Sequence, residues 1–238
     1  MNPLYYTAKG PRNSNEDSYL IQPLERGILL IVADGLGGHK GGEYASHYAV
    51  TNALKKLRAV KEISISVLKK ALREIHEELI SLGLENNDLK GMGTTFTCAY
   101  IDDESKLLGV HTGDSRAYLL RENGLIQLTT DHTEAQKLLD EGLIDKHELL
   151  NYPRKNILIS ALGAKSNPLL IDTFEYQLQA KDRLLISSDG FYASITKKGI
   201  RDISVKYDEF SEFFFDVLSD VKLAEPTDNY SVVGIEVD

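Results

Sequence analysis

The 238-residue chain has a single cysteine, Cys98, so no internal disulfide can form. That thiol lies in the apolar run FTCAYI with no basic neighbour to lower its pKa, which marks a buried structural side chain rather than a nucleophile. No apolar run approaches the length of a membrane-spanning helix. The N-terminal MNPLYYTAKGPRNSNEDS lacks the basic patch and apolar stretch of a secretory signal. A cytoplasmic protein with no membrane contact is the expectation. Basic residues are the scarcer sign, 27 Lys and Arg against 36 Asp and Glu. The net charge of −9 argues against a nucleic-acid surface, which needs positive potential. Internal repeats, low-complexity tracts and Pro- or Gly-rich linkers are missing too, so one domain over residues 1–238 is expected.

What is present is an ordinary globular balance, 42% hydrophobic and 26% charged, enough to build a buried core. The first strong strand signal is GILLIVADG, residues 27–35, a continuous apolar run that predicts a strand buried on both faces and ending at a Gly-rich loop. A helical pattern runs from Gly42 to about Leu57, and a clearer one places Leu68, Ala71, Leu72, Ile75, Leu79 and Leu82 on one face. TTFTCAYID, KLLGVHT, RAYLLR and LIQL then read as an antiparallel meander, its last hairpin closed by an Asn-Gly turn. Residues 132–168 are polar with short helical pieces and read as a surface excursion. IDTFEYQL, RLLISSDG and NYSVVGIEV resume the strands, with a helix from about Glu209 to Leu223 between the last two. Strands and helices in separated runs favour an α+β fold.

Four acids recur at strand ends or in the adjoining loops: Asp34 in VADGLGGHKGG, Asp114 in HTGDSRA, Asp189 in ISSDGF and Asp228 in PTDNYS. One Asp-Gly at a strand end is usually only a turn. Four together are different, because strand ends on one sheet edge can gather carboxylates that are far apart in sequence. Such a group is costly to ionise without a compensating charge. Oxygen-only ligands point to Mg²⁺ or Mn²⁺ as the source of that charge. In GPRNSNEDS, Arg12 precedes Glu16 and Asp17. Alone these are a surface ion pair; beside the other acids, the planar guanidinium suits a phosphate dianion. The glycines of GLGGHKGG fit neither a P-loop nor a dinucleotide fingerprint.

Eight elements follow in order along nearly the whole chain: RNSNEDS, ADGLGGHKGGEYAS, GMGTTFT, GDSRAYLL, LTTDHT, SALG, LLISSDGFY and TDNYSVV. This series resembles the type 2C metal-dependent protein serine/threonine phosphatases, the PPM family, in particular its compact bacterial members. The resemblance implies a four-layer α-β-β-α sandwich of two antiparallel β-sheets flanked by helices, with residues 132–168 as a flap beside the active site. It implies Asp34 as the ligand bridging two Mn²⁺ or Mg²⁺ ions, with the Gly35 carbonyl and Glu16 on one ion and Asp189 and Asp228 on the other. Asp114 with Asp189 resembles the site of a third, weaker ion, and Asp17 matches an acid that acts through metal-bound water. Arg12 matches the clamp on substrate phosphate. A water or hydroxide bridging the ions would attack phosphorus with no phosphoenzyme.

Three roles are open to His39 in GGH: proton donor to the leaving alkoxide, orienter of its loop, or positioner of water. Thr94 and Thr95 look like structural partners of the site, His132 like a local stabiliser of the flap's start, and His111 like a strand residue. Ser160 departs from the pattern, standing where many bacterial relatives carry a basic residue. The resemblance implies phosphorylated protein substrates, a cognate serine/threonine kinase and a monomer. Its rivals are a phosphatase for one small regulatory phosphoprotein and a metal-free binding module; retention of the acids and Arg12 argues against the latter.

Overall fold

The computed structural model describes residues 2–37, 41–165 and 168–238. The strands form two antiparallel sheets. One runs β1 (Leu4–Ala8), β11 (Tyr230–Glu236), β10 (Arg183–Ser187), β7 (Arg116–Arg121), β8 (Gly124–Gln127). The other runs β2 (Asp17–Leu24), β3 (Gly27–Leu36), β5 (Phe96–Ile101), β6 (Lys106–Thr112), β9 (Asp172–Gln177), and the short β4 (Gly93–Thr94) pairs with the end of β3. Helices α1 (Gly41–Arg58) and α2 (Ile65–Glu85) pack on the β3 sheet; α6 (Lys197–Lys206) and α7 (Phe210–Leu223) pack on the β10 sheet. Between them lie α3 (Glu134–Asp140) and α4 (Lys146–Asn151) in the excursion, and the single turn α5 (Asp189–Tyr192). Among the described residues no helix is long and apolar enough to cross a membrane.

The period of two along β3 explains its continuous apolar run. Leu29, Ile31 and Ala33 pack against α1 and α2, while Ile28, Leu30 and Val32 pack between the sheets with Leu184, Ile186, Val233 and Ile235. Both faces are buried, as the sequence predicts. A third apolar layer joins Tyr118, Leu185 and Val232 to Phe213, Val217 and Val221 of α7. The result is the four-layer α-β-β-α sandwich.

Two expectations are corrected. The meander breaks after β6, because β6 pairs with β5 and β9 whereas β7 joins the other sheet. The chain changes sheets at Gly113, Asp114 and Ser115, with Gly113 at φ +101°. The β7–β8 hairpin exists, but Arg121 pairs with Gly124, so its two loop residues are Glu122 and Asn123. Glu122 itself takes the positive φ of 51°, and the glycine already belongs to β8.

Candidate active site

The parity that buries Ile28, Leu30 and Val32 between the sheets carries Asp34 to the same face at the end of β3. Directly opposite it in the β2 register stands Asp17. The end of β10 leads into Asp189, the start of β11 follows Asp228, and the crossing after β6 delivers Asp114. A cleft of about 600 Å³ at this end of the sandwich is lined by Arg12, Glu16, Asp34, Gly35, Asp114, Asp189 and Asp228. Asp17 is buried, not among the lining residues, and tied to Asp34 through the β2–β3 register. His39 lies outside the described residues.

Each acid is held by a specific device. Thr95 Oγ1 accepts the Asp34 N–H at 2.9 Å, and the Asp34 carbonyl accepts from the Thr94 hydroxyl at 3.0 Å and the Thr95 N–H at 2.9 Å. Both threonines are therefore partners of the site, as expected. The Glu16 carbonyl accepts from the Gly35 N–H at 3.1 Å and from the Ser46 hydroxyl at 2.6 Å. A Cβ on Gly42 would lie 2.9 Å from the Gly35 carbonyl carbon and against the Glu16 carboxylate, so any side chain there would displace Glu16 and press on the backbone at Gly35.

Asn229, which sequence reasoning left unassigned, is the joint between the arginine loop and Asp228. Its Oδ1 accepts the Glu16 N–H at 2.8 Å, and its Nδ2 donates to the Lys9 carbonyl at 2.8 Å and the Ser14 carbonyl at 2.9 Å. Its own N–H donates to Asp228 Oδ1 at 2.7 Å. The one signal available beforehand was its position beside Asp228. Asn156 and Leu158, from the excursion, also line the cleft and were likewise unassigned.

Burial dominates the electrostatics. It pushes Asp17 up to about 7, aided by the charges of Asp189 and Asp228, and pushes Asp114 up to about 8, aided by Asp189 and Asp131. Asp34 is held well above the ordinary carboxylate range by burial and by Asp17, Asp189, Asp114 and Asp228. Asp189 is raised by burial and by the charge of Asp228. Asp17 Oδ2 accepts from the Ser188 hydroxyl at 2.8 Å, while its buried Oδ1 has no partner among the described residues.

Oxygen donors crowded at one end, with an orphaned buried oxygen behind them, fit hard divalent cations. Among the described residues no three acidic, histidine or cysteine side chains are already gathered around one point as metal ligands.

Two arginines differ in role. Arg12 donates to Asp228 Oδ2 at 2.6 Å, and its side chain is 58% exposed at the mouth of the cleft. Arg116 of the GDSR element forks onto Asp131 through Nε at 2.9 Å and Nη2 at 2.6 Å and lies 3.7 Å over the Tyr192 ring. Arg116 is thus a brace, not a phosphate ligand. Cys98 is fully buried, and burial drives its thiol pKa upward. Ser160 is buried and bonds the Thr112 hydroxyl at 2.8 Å and the Leu170 N–H at 2.9 Å.

Residues 11–227 match the family described as protein phosphatase 2C. The chain is 35% identical over 234 residues to the serine/threonine phosphatase stp of Listeria monocytogenes, covering 95% of this chain and 92% of that protein. It is 32% identical over 232 residues to the protein phosphatase PhpP of Streptococcus pneumoniae, covering 93% and 86%. The crystal structure of the Staphylococcus aureus serine/threonine phosphatase superposes with a TM-score of 0.92 at 27% identity, covering 100% of this chain and 95% of that one. The Mycobacterium tuberculosis serine/threonine phosphatase superposes at 0.86 and 30% identity, covering 100% and 98%. The chain belongs to the protein phosphatase 2C family, the PPM serine/threonine protein phosphatases, in their bacterial form.

Proposed function

We propose that this phosphatase hydrolyses phosphoserine and phosphothreonine in proteins with two Mn²⁺ or Mg²⁺ ions in the core of the cleft and a third, weaker ion beside them. The observation that carries the reading is the buried acid cluster, in which Asp17, Asp34, Asp114 and Asp189 are all displaced toward protonation by burial and by one another. Asp34, the Gly35 carbonyl and Glu16 would hold one ion; Asp34, Asp189 and Asp228 the second; Asp114 with Asp189 the third. When bound, the ions supply positive charge to the phosphoryl oxygens and lower the pKa of the attacking water.

The chain's own residues do the rest. Arg12 spends one N–H on Asp228 and keeps others to grip phosphoryl oxygens in its planar fork. Asp17, paired with Asp34 in the β2–β3 register, would act on metal-bound water from behind the lining acids. Asn229 holds the arginine loop against Asp228, so phosphate and ion sites keep a fixed relation. Ser14 is the only hydroxyl residue among the described residues lining the cleft, and none of those lining residues is a histidine or lysine able to act as its base. Direct attack of water on phosphorus, without a phosphoenzyme, is the course that the resemblance to the family implies. His39 is the candidate proton donor to the leaving alkoxide.

The whole chain, 1–238, acts as one catalytic domain with 132–168 as its flap. Its setting is the cytoplasm, as a monomer opposing a serine/threonine kinase. Purified protein is expected to hydrolyse p-nitrophenyl phosphate and a phosphothreonine peptide with Mn²⁺ and to stop with EDTA. Activity that persists in EDTA, or a trapped covalent phosphoenzyme, overturns the reading.

A further inference from the structure

We propose that His132 is a positioning residue that grips Gly113 from two sides and thereby aims Asp114 into the cleft. The His132 backbone N–H donates to the Gly113 carbonyl at 2.7 Å, and the Gly113 N–H donates to His132 Nδ1 at 3.3 Å. The grip acts at the residue where the chain turns between sheets, a left-handed position whose missing Cβ would lie 2.6 Å from Thr95. Because a backbone N–H can only donate, Nδ1 must carry a lone pair. The proton of the neutral ring is then on Nε2, which faces Asp172 Oδ2 on β9 at 3.2 Å. Asp172 thus fixes the tautomer that lets His132 accept from Gly113, the logic by which an outer partner orients a working imidazole.

The neighbouring ring does not disturb this. His111 lies 5.0 Å away between the Thr97 hydroxyl at 2.8 Å and the Thr130 carbonyl at 3.1 Å, and burial keeps it neutral with a pKa of about 3. The other side of His132 leads to the excursion. Its carbonyl accepts from the Ile159 N–H at 2.9 Å, and Glu134 N–H donates to the Ile157 carbonyl at 2.8 Å. Asn156 and Leu158, on this same short segment, line the cleft together with the acids. The His132 backbone therefore joins the loop of Asp114 to the excursion, and its imidazole adds a bond to Gly113 and one to Asp172, more than the local bond expected from the sequence.

The inference rests on Asp114 being a working acid of the cleft, and the test separates the two. In metal-free protein, ¹⁵N NMR is expected to show His132 protonated on Nε2 and bare on Nδ1, with slow hydrogen exchange at the Gly113 N–H. His132→Ala should speed that exchange and lower kcat about tenfold with KM for p-nitrophenyl phosphate little changed, the usual size of an outer-partner effect. His132→Asn, whose Oδ1 takes the place of Nδ1, should recover both; His132→Gln, reaching toward Asp172 instead, should recover neither. If His132→Ala does not fold, Asp172→Ala at its half-exposed site should weaken the tautomer preference and lower kcat. A ring proton on Nδ1, or unchanged Gly113 exchange in His132→Ala, overturns the proposal. Native kcat in Asp114→Asn removes the role of Asp114 and with it the aim, whereas the NMR readouts judge the grip alone.

Discussion

Replacing Asn229 by alanine or by aspartate weighs the joint that binds the arginine loop to the metal acids. The side chain is buried and makes three hydrogen bonds, one accepted from Glu16 N–H and two donated to the Lys9 and Ser14 carbonyls. At about 0.5–1.5 kcal/mol net for each, Asn229→Ala should cost about 2–4 kcal/mol of stability. Aspartate keeps the shape and the acceptor toward Glu16, but turns a carboxylate oxygen toward two carbonyls that need donors. It also sets another negative charge beside Asp228, whose Oδ1 already accepts the 229 N–H. The isosteric change should therefore be the more damaging one, in stability and in KM, because Arg12 and Glu16 sit on the released loop. Urea unfolding in EDTA, paired with steady-state kinetics in Mn²⁺, reads both. A loss below about 1 kcal/mol for alanine, no more than an ordinary surface change, or a milder effect from aspartate, would refute the reasoning.

Three further outcomes follow from the same site. Folded Asp17 and Asp114 titrate near 7 and 8, above an unfolded value of about 3.9, so the stability they carry is complete below about pH 4 and is lost as pH rises through those values. In EDTA the melting temperature should fall between about pH 5 and about pH 8.5, and Mn²⁺ should restore more at the higher pH; a flat EDTA profile contradicts this. Arg12→Lys replaces the fork by a single ammonium and should raise KM about tenfold with a smaller effect on kcat, checked with a phosphopeptide; an unchanged KM removes Arg12 from phosphate binding. Cys98 should react with a thiol reagent only on unfolding, and rapid labelling of active enzyme would show it is not the buried side chain described.

Much of this was legible in the residues, and the gaps have physical causes. β3 announced itself because both of its faces are buried, and the acids because they sit where apolar runs stop. β1 and β2 passed unnoticed: as outer strands of their sheets they keep many half-buried side chains, so neither run nor alternation stands out in LYYTA or DSYLIQPL. α6 was missed for a related reason, since a glycine and β-branched residues in KKGIRDISVK give it little helical preference and only Ile200 and Ser204 are buried. The break in the meander was invisible because sequence does not say which sheet a strand joins; it turns on Gly113 taking a positive φ. Asn229 escaped, and His132 was legible only as a local stabiliser of the flap's start, because their partners lie 213 and 19 residues away, where only the assembled sandwich brings them within reach.

The central claim is that carboxylates carried by separate strands converge on ions, and the direct measurement is calorimetric titration of Mn²⁺ into the wild type and Asp34→Asn. The substitution leaves the Asp34 backbone bonds to Thr94 and Thr95 in place, so the fold should persist by circular dichroism. Wild type should bind at least two ions tightly, and Asp34→Asn should lose the tight binding together with turnover. Indistinguishable isotherms for the two folded proteins would contradict the account.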